Sequence, residues 1–311
     1  MRAEFVETLA ELAERDPRIV LLTGDLGFGV LESFSDRFPD RFYNVGVAEQ
    51  NMIGVATGLA ESGMIPFVYS IATFASMRPY EFIRNGPVLH QLPVRIVGVG
   101  GGFEYGNNGA THYALEDVGV LRLQRGLTVV VPADTAHARS ALAQTYELRR
   151  PIYYRVSKGG PPLPGLEEDF ELGRLTRLRA GRDVALIALG PIVAGALSAA
   201  DQLAADGVDA AVAVVESFNP SPAEDLADFL SDIPLAVTVE SHFVDGGLGT
   251  LVAEVIAEHG LSTRLRRCGI EDLPRGMTGS QAFLEQHFGL SAAAIAGTVE
   301  SALAARRLVP A

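Results

Sequence analysis

Short β-branched apolar runs alternate with helical patterns along the first half of the chain. Between the apolar runs, hydrophobic residues recur at helical spacing, as from Met52 to Ala60. This alternation predicts a mostly parallel sheet with helices on both faces. The predicted strands lie at 19–22, 42–45, 67–70, 94–99, 128–131 and 152–156.

A second α/β series follows a break in this pattern. The run 157–165 is rich in glycine and proline and precedes acids at 167–169, which is typical of a linker. Strands are predicted beyond it at 184–189, 210–215 and 235–239, and helices at 193–205 and 292–305. We therefore predict an α/β fold with two doubly wound domains: residues 1–160, a linker at 161–180, and residues 181–311.

Composition narrows the class of protein. A chain of 311 residues with 48% hydrophobic content can form two cores. The net charge of -13 opposes binding to nucleic acid. The single cysteine, Cys268, excludes a disulfide within the chain and is expected at a buried strand position. Because we see neither a signal peptide nor an apolar run of membrane-spanning length, we expect a cytoplasmic protein with no membrane partner.

One carboxylate follows the second predicted strand inside apolar sequence. Glu49 lies between that strand and the helical pattern that includes Met52, so we expect it in the first turn of the helix. An acid there complements the helix dipole and can cap free amides. The apolar flank, with Val45 and Val47, equally suits a dry carboxyl that holds a proton for catalysis.

Aromatic residues follow the third predicted strand. Phe74 comes directly after Thr73, and Met77 and Tyr80 lie three and six residues farther on. Ligands meet parallel sheets at the carboxyl ends of the strands, where a ring can stack on a flat heterocycle. Simple core packing is the alternative for Phe74.

The run 98–112 is a glycine-rich loop that ends in Asn108-Gly109-Ala110-Thr111-His112. Its glycine content argues against the interior of a helix or strand. It does not match a dinucleotide fingerprint, which needs a helix directly behind it. His112 is a candidate for moving protons at a substrate oxygen, and the alternative is a surface histidine bonded to its own loop.

Together, the segment around Glu49, the Thr73-Phe74 pair and the Thr111-His112 loop resemble the pyrimidine-binding half of the transketolase family, whose members use thiamine diphosphate. The likeness covers essentially the whole chain and is strongest between residues 24 and 158. The resemblance implies that Glu49 hydrogen-bonds N1′ of the cofactor's aminopyrimidine, that Phe74 stacks on this ring, and that His112 faces the substrate.

The same resemblance implies further site residues. Met77 and Tyr80 are expected around the pyrimidine, and Val47 in the apolar wall beside Glu49. The segment Gly24-Asp25-Leu26 resembles the strip that lines the pyrimidine pocket, so Asp25 and Leu26 are candidate cofactor contacts. Capping of the next helix is the alternative for Asp25.

Substrate contacts are implied at Asn108 and Arg155 in addition to His112. A guanidinium at the carboxyl end of a strand can clamp a phosphate or carboxylate, although a structural ion pair at Arg155 is an equal alternative. Asn108 replaces the acid common in the family, Gly100 stands where many members have a histidine, and Gly29 where a serine is common. A specialised or unphosphorylated sugar therefore fits as well as a pentose phosphate.

The chain contains no Gly-Asp-Gly motif of the kind with which the family holds Mg²⁺ and the diphosphate. The resemblance therefore implies a split enzyme, in which the diphosphate site and most of the metal's ligands belong to a separate N-terminal subunit. We expect no metal ligand on this chain. The expected assembly is a heterotetramer of two subunits of each kind, with the cofactor at their interface.

These observations favour the C-terminal, β-type subunit of a transketolase that moves a two-carbon ketol unit from a ketose-type donor to an aldehyde acceptor. The enzyme alternatives are the β subunit of a 2-oxo acid decarboxylase or dehydrogenase, and a deoxyxylulose phosphate synthase-like enzyme. A catalytically silent scaffold subunit is the non-enzyme alternative. The substrate is accordingly a small sugar or 2-oxo acid. Glu240 and His242 are expected near the contact between subunits, where they hold the interface rather than do chemistry.

Overall fold

Two α/β sheets form the structure, a computed structural model that describes residues 1–159, 162–166 and 170–307. The helices are α1 (Arg2–Arg15), α2 (Glu32–Ser35), α3 (Glu49–Glu61), α4 (Ala72–Met77), α5 (Tyr80–Ile83), α6 (Asp117–Arg122), α7 (Thr135–Thr145), α8 (Val193–Ala205), α9 (Ala223–Leu230), α10 (Leu248–Glu258), α11 (Gln281–His287) and α12 (Ala292–Arg307). The strands are β1 (Ile19–Thr23), β2 (Phe42–Asn44), β3 (Ile65–Ile71), β4 (Arg95–Val99), β5 (Thr128–Val130), β6 (Ile152–Val156), β7 (Leu175–Arg179), β8 (Val184–Leu189), β9 (Ala210–Val215), β10 (Ser217–Phe218), β11 (Leu235–Phe243) and β12 (Arg264–Ile270).

The first sheet has seven strands in the order β10-β5-β6-β4-β3-β1-β2. All neighbours are parallel except β10, which pairs antiparallel with β5. Strands β1, β4 and β6 are buried along their full length. This agrees with their near-continuous apolar runs, which are typical of strands that are covered on both faces. The six predicted strands of this half are confirmed to within about two residues.

Helices cover both faces of this sheet. Alternate residues of β1 divide between two cores: Val20 and Leu22 pack with α3, α4 and α6, whereas Ile19 and Leu21 pack with α1 and α7. The alternation follows from the two-residue period of side chains along a strand. The predicted doubly wound architecture is confirmed for this domain.

The second sheet has five strands in the order β12-β11-β8-β9-β7, with β7 antiparallel at the edge. Helices α8 and α12 pack on one face and α9 and α10 on the other, so this domain is also doubly wound. Cys268 lies in β12 and is 7% exposed, which confirms its predicted buried strand position. No bounds were predicted for strands β7, β10 and β12, although Cys268 was expected in a strand. Strand β10 joins the first sheet although it follows β9 of the second.

The exact domain boundaries stay a prediction. Residues 160, 161 and 167–169 of the glycine-, proline- and acid-rich segment lie outside the described residues. Within the predicted linker at 161–180, the structure places β7, whose pairing partner β9 belongs to the second sheet.

One stretch, Gln281–Ala305, is long and apolar enough by composition to cross a membrane, contrary to the sequence-based expectation that no run approaches that length. In the fold it comprises α11 and most of α12, which are separate helices. Leu284, Ile295 and Val299 from these helices are completely buried against the second sheet. These three side chains belong to the core of the second domain, whereas only 28% of the apolar window is buried.

Candidate active site

The predicted site residues follow strands that end at the same edge of the first sheet. Asp25 follows β1, Glu49 follows β2, and Phe74 follows β3. His112 ends the long loop after β4. Because β1 to β4 run parallel, their carboxyl ends share one edge, which is where doubly wound sheets bind ligands.

Glu49 is the first residue of α3 and is only 1% exposed, so its predicted place in the first turn is confirmed. Its carboxylate accepts hydrogen bonds from Ser70 Oγ on β3 at 3.1 Å and from Arg78 Nη1 at 2.8 Å. Gly24 lies against the same carboxylate, because a Cβ built there would be 3.6 Å from Oε1. The carboxylate is therefore engaged in tertiary contacts between elements rather than in capping its own helix.

Phe74 lies in α4 between Arg78 and His112. The Arg78 guanidinium lies over the ring, with Cζ 3.9 Å from the ring centroid. The His112 ring meets Phe74 edge-on at a centroid distance of 5.1 Å. The structure thus joins Glu49 and Phe74, which the resemblance placed on one ring, through Arg78. It also places His112, which was expected to face the substrate, against Phe74.

The sequence analysis missed Arg78. Its signal was the spacing, because residues four apart on a helix share a face and Arg78 lies four residues after Phe74. Ser70, at the end of β3, was missed as a partner of Glu49.

His112 lies in a 3₁₀ turn, Ala110–His112, that follows a second one, Gly106–Asn108. Gly109 connects them with φ of +83°, a left-handed conformation that favours glycine. His112 Nδ1 is 3.0 Å from Thr111 Oγ1. The ring is half-buried, so one edge contacts the aromatic cluster while the residue still reaches solvent. His112 therefore bonds within its own loop and contacts Phe74 at the same time.

Tyr105 and Lys158 extend this cluster and were also missed. The Tyr105 ring lies 6.3 Å from that of His112, and Lys158 Nζ lies 3.3 Å from the Tyr105 centroid. Burial raises the pKa of Tyr105 and lowers the pKa of Lys158. A Cβ at Gly100 would overlap the Tyr105 ring. Tyr105 therefore takes the space in which a side chain at position 100 would lie.

Several predicted cofactor contacts lie around this edge. Asp25, at φ of +58°, exchanges two hydrogen bonds with Asn44 at 3.0 and 3.1 Å, so it ties β1 to β2 rather than capping a helix. Val47 is 67% exposed and Met77 45% exposed, as expected for residues that another group would cover. The Tyr80 hydroxyl instead donates to the Val120 carbonyl of α6 at 3.1 Å.

Leu26 is half-buried beside Thr23, whose hydroxyl donates to the Leu26 carbonyl, and Asn108 is exposed in the loop before His112. The roles of all these residues in binding stay predictions.

Arg155 makes contacts between the domains, and its predicted role in substrate binding stays a prediction. Its side chain is 7% exposed, with Nε 3.0 Å from Asp117 Oδ2 and Nη2 donating to the carbonyls of Ala114 and Ser241. The Tyr153 hydroxyl donates to the same Asp117 oxygen at 2.7 Å. Since Ser241 belongs to β11 of the second sheet, Arg155 forms the structural ion pair of the alternative interpretation and joins the two domains.

Glu240 and His242 complete this junction. His242 Nε2 accepts from the Gly119 amide at 3.1 Å, so the histidine spans the two domains. Glu240 accepts from the amides of Leu248 and Gly249 at the start of α10. Burial raises the pKa of Glu240 to about 7 and lowers the pKa of His242. His242 therefore joins the two domains of one chain, whereas the hydrogen bonds of Glu240 lie within the second domain. Their expected place at a subunit interface stays a prediction.

Comparison with known proteins identifies the family. Residues 1–162 match the transketolase pyrimidine-binding domain, and residues 173–295 match the transketolase C-terminal domain. The chain belongs to the transketolase family. It is 38% identical to the 6-deoxy-6-sulfo-D-fructose transketolase subunit of Clostridium sp., over 94% of this chain and 91% of that protein.

Two further similar proteins are a transketolase subunit and a split-gene transketolase. The chain is 34% identical to an apulose-4-phosphate transketolase subunit of Phocaeicola vulgatus, over 96% of this chain and 95% of that protein. A solved split-gene transketolase, an inactive β4 tetramer, is 37% identical with a TM-score of 0.88, over 97% of this chain and 98% of that chain. Transketolases of this family depend on thiamine diphosphate. This chain is thus a C-terminal, β-type transketolase subunit, a transferase component that works with a partner subunit.

The residues at the strand edge fit the aminopyrimidine of that cofactor. The guanidinium of Arg78 is planar and polar, as an aminopyrimidine is, but it donates to Glu49, whereas N1′ of the neutral ring accepts the proton that Glu49 holds. It stacks on Phe74 and bonds Glu49 at the same time. The guanidinium is therefore a stand-in that shows that one flat group can contact both residues. Among the described residues, no group of three His, Cys, Asp or Glu side chains could hold a metal ion.

Proposed function

We propose that this subunit provides the pyrimidine half of a thiamine diphosphate site and, with its partner, moves a two-carbon ketol unit from a ketose-type donor to an aldehyde acceptor. The single observation that carries the proposal is the position of Glu49. Its carboxylate lies at the strand edge, is 1% exposed, and bonds the guanidinium that lies over the Phe74 ring. A buried carboxylate needs a dedicated partner, because removing a charge from water is costly.

Glu49, Phe74 and His112 have distinct roles in this proposal. The chemistry that thiamine diphosphate supplies when bound is a nucleophilic carbon and an electron sink for cleaving a carbon–carbon bond. Glu49 holds a proton at the ring nitrogen N1′, and Phe74 fixes the ring's plane by stacking. His112 lies next to Phe74 and moves protons at the substrate's oxygens.

The diphosphate and Mg²⁺ belong to the partner in this proposal. The sequence has no Gly-Asp-Gly motif, and an anion–metal pair requires oxygen ligands in a fixed arrangement. The solved relative at 37% identity is an inactive β4 tetramer, which supports inactivity of this chain by itself. The proposed assembly contains two subunits of each kind and acts in the cytoplasm on small-molecule substrates.

Reconstitution with an N-terminal subunit tests the proposal. The complex, supplied with thiamine diphosphate and Mg²⁺, is offered hydroxypyruvate or ketose donors, with and without a phosphate, together with an aldehyde acceptor. We expect two-carbon transfer with the complex and none when one of the two kinds of subunit is left out. Turnover of pyruvate or branched 2-oxo acids in place of the ketol donors would instead assign the chain to the 2-oxo acid enzymes.

Glu49→Ala separates an enzyme from a silent scaffold. We expect turnover to fall by about a hundredfold or more, because acid–base groups contribute on this scale. Glu61→Ala is the matched control, since Glu61 is an exposed acid at the other end of α3. Analytical ultracentrifugation should show the same complex for both variants. Full turnover by Glu49→Ala would refute the proposal.

A further inference from the structure

Arg78 controls access to the Glu49 carboxylate. One carboxylate oxygen accepts from Ser70, which is completely buried, and the other accepts from Arg78. The Arg78 side chain is 38% exposed, whereas that of Glu49 is 1% exposed. Of the two side chains that bond the carboxylate, only Arg78 therefore reaches the surface, and a ligand that approaches Glu49 from solvent meets it first.

The two contacts of Arg78 are those required of the aminopyrimidine. The guanidinium lies 3.9 Å over the Phe74 ring and donates to Glu49 Oε2 at 2.8 Å. Two flat groups cannot lie on the same ring face and bond the same oxygen at once. Arg78 and the aminopyrimidine consequently compete for one position.

We propose that Arg78 is a placeholder: it pairs the buried Glu49 carboxylate while the site lacks cofactor, and it leaves the Phe74 ring when the aminopyrimidine enters. This inference rests on the proposed function and names a further residue of the same site. Arg78 is well suited to this movement, because it lies immediately after α4 and its long side chain already extends to solvent. The buried acid is thereby kept paired in the free subunit, where an unpartnered charge would be strongly destabilising.

Competition lowers the apparent affinity for the cofactor in proportion to the fraction of molecules in which Arg78 has left the position over Phe74. Removing the competitor should therefore tighten binding. The measurement is the dissociation constant of thiamine diphosphate in the reconstituted complex with Mg²⁺, by isothermal titration calorimetry, for wild type, Arg78→Met and Arg78→Ala. We expect both variants to bind about threefold more tightly or better.

The control variant is Arg84→Met, because Arg84 is an exposed arginine farther along the same region, and its affinity should equal that of wild type. Unchanged or weaker binding by both Arg78 variants would overturn the inference, whichever of them is the more stable. A crystal structure of the cofactor-bound complex gives an independent test. A guanidinium still lying between Phe74 and Glu49 beside the bound ring would also overturn it.

The measurements distinguish an error in the placeholder proposal from an error in the proposed function. If wild type binds thiamine diphosphate and Glu49→Ala abolishes turnover, but neither Arg78 variant binds more tightly, only the placeholder is wrong. If the wild-type complex binds no thiamine diphosphate, both are wrong.

Discussion

The Arg78–Glu49 pair predicts an asymmetry in stability between two single variants. Arg78→Met removes the cation and leaves a carboxylate buried at 1% exposure with Ser70 as its remaining hydrogen-bond donor. Glu49→Gln removes the buried charge, keeps an oxygen that can accept from Ser70, and leaves an arginine that already reaches water. Replacing Arg78, the more exposed residue of the pair, should therefore lower the free energy of unfolding more than replacing Glu49.

The magnitude follows from the burial of each partner. Removing one partner of a fully buried ion pair costs about 3–5 kcal/mol. The Arg78 side chain is 38% exposed, so solvent screens the pair and the cost is lower. We expect Arg78→Met to lower the free energy of unfolding by about 2 kcal/mol. Glu49→Gln should change it by less than about 1 kcal/mol, because neutralising a buried ion is often nearly neutral.

Urea unfolding of the four members of a double-mutant cycle tests this expectation. The double variant Arg78→Met/Glu49→Gln should be close in stability to Glu49→Gln, since no buried charge is left unpaired. Arg84→Met is the control and should lie within about 0.5 kcal/mol of wild type. The reasoning is refuted if Arg78→Met is no less stable than Glu49→Gln, or if the cycle shows no coupling.

Three further predictions concern the loop and the domain junction. His112→Asn should lower kcat of the complex about a hundredfold while the calorimetric Kd for thiamine diphosphate changes less than about twofold, and a large change in Kd would contradict a role in proton transfer. Gly100→Ala should cost about 1–3 kcal/mol in urea unfolding, because φ is +79° and the new Cβ would overlap the Tyr105 ring; wild-type stability would contradict this crowding. Burial raises the pKa of Glu240 from 4.5 to about 7, so the Glu240 carboxyl binds its proton more tightly in the folded state than in the unfolded state. The resulting stabilisation of the fold is complete below pH 4.5 and is lost as the pH rises through about 7. The free energy of unfolding, measured at several pH values, should show this decline in wild type and not in Glu240→Gln. The same pH dependence in both proteins would contradict this prediction.

Local pattern was sufficient for most of the first sheet because its strands are buried on both faces. Apart from Thr23 in β1 and Arg155 in β6, these two strands consist of apolar and tyrosine residues, which no surface element requires. The missed strands lack this signal. Strand β12 contains three arginines in seven residues, and β7 has two in five, because both lie at an edge where one face meets water. Strand β10 has two residues and is defined only by its pairing with β5.

The candidate site was predictable where a residue type is unusual for its surroundings. Glu49 is an acid in apolar sequence, and its burial confirms that the anomaly was informative. Arg78 is unremarkable in sequence, since an arginine at the end of a short helix is ordinarily solvated. Its bond to Glu49 depends on where α4 lies relative to α3, and that is set by the packing of both helices on β3 rather than by local pattern. Tyr105 and Lys158 meet only because the loop after β4 folds back over the end of β6.

Arg155 shows why a residue at a strand's carboxyl end is not thereby part of a binding site. Its position near the end of the predicted strand is confirmed, since it is the residue before the last of β6, which pairs with β4 in the sheet. The second domain, however, covers this end, because Ser241 of β11 accepts from the guanidinium and Asp117 neutralises it. The uncovered part of the edge lies at β1 to β3, where Asp25, Val47 and Met77 still reach solvent. We therefore expect a partner subunit that completes the cofactor site to approach over β1 to β3, with its contacts around Arg78 rather than Arg155.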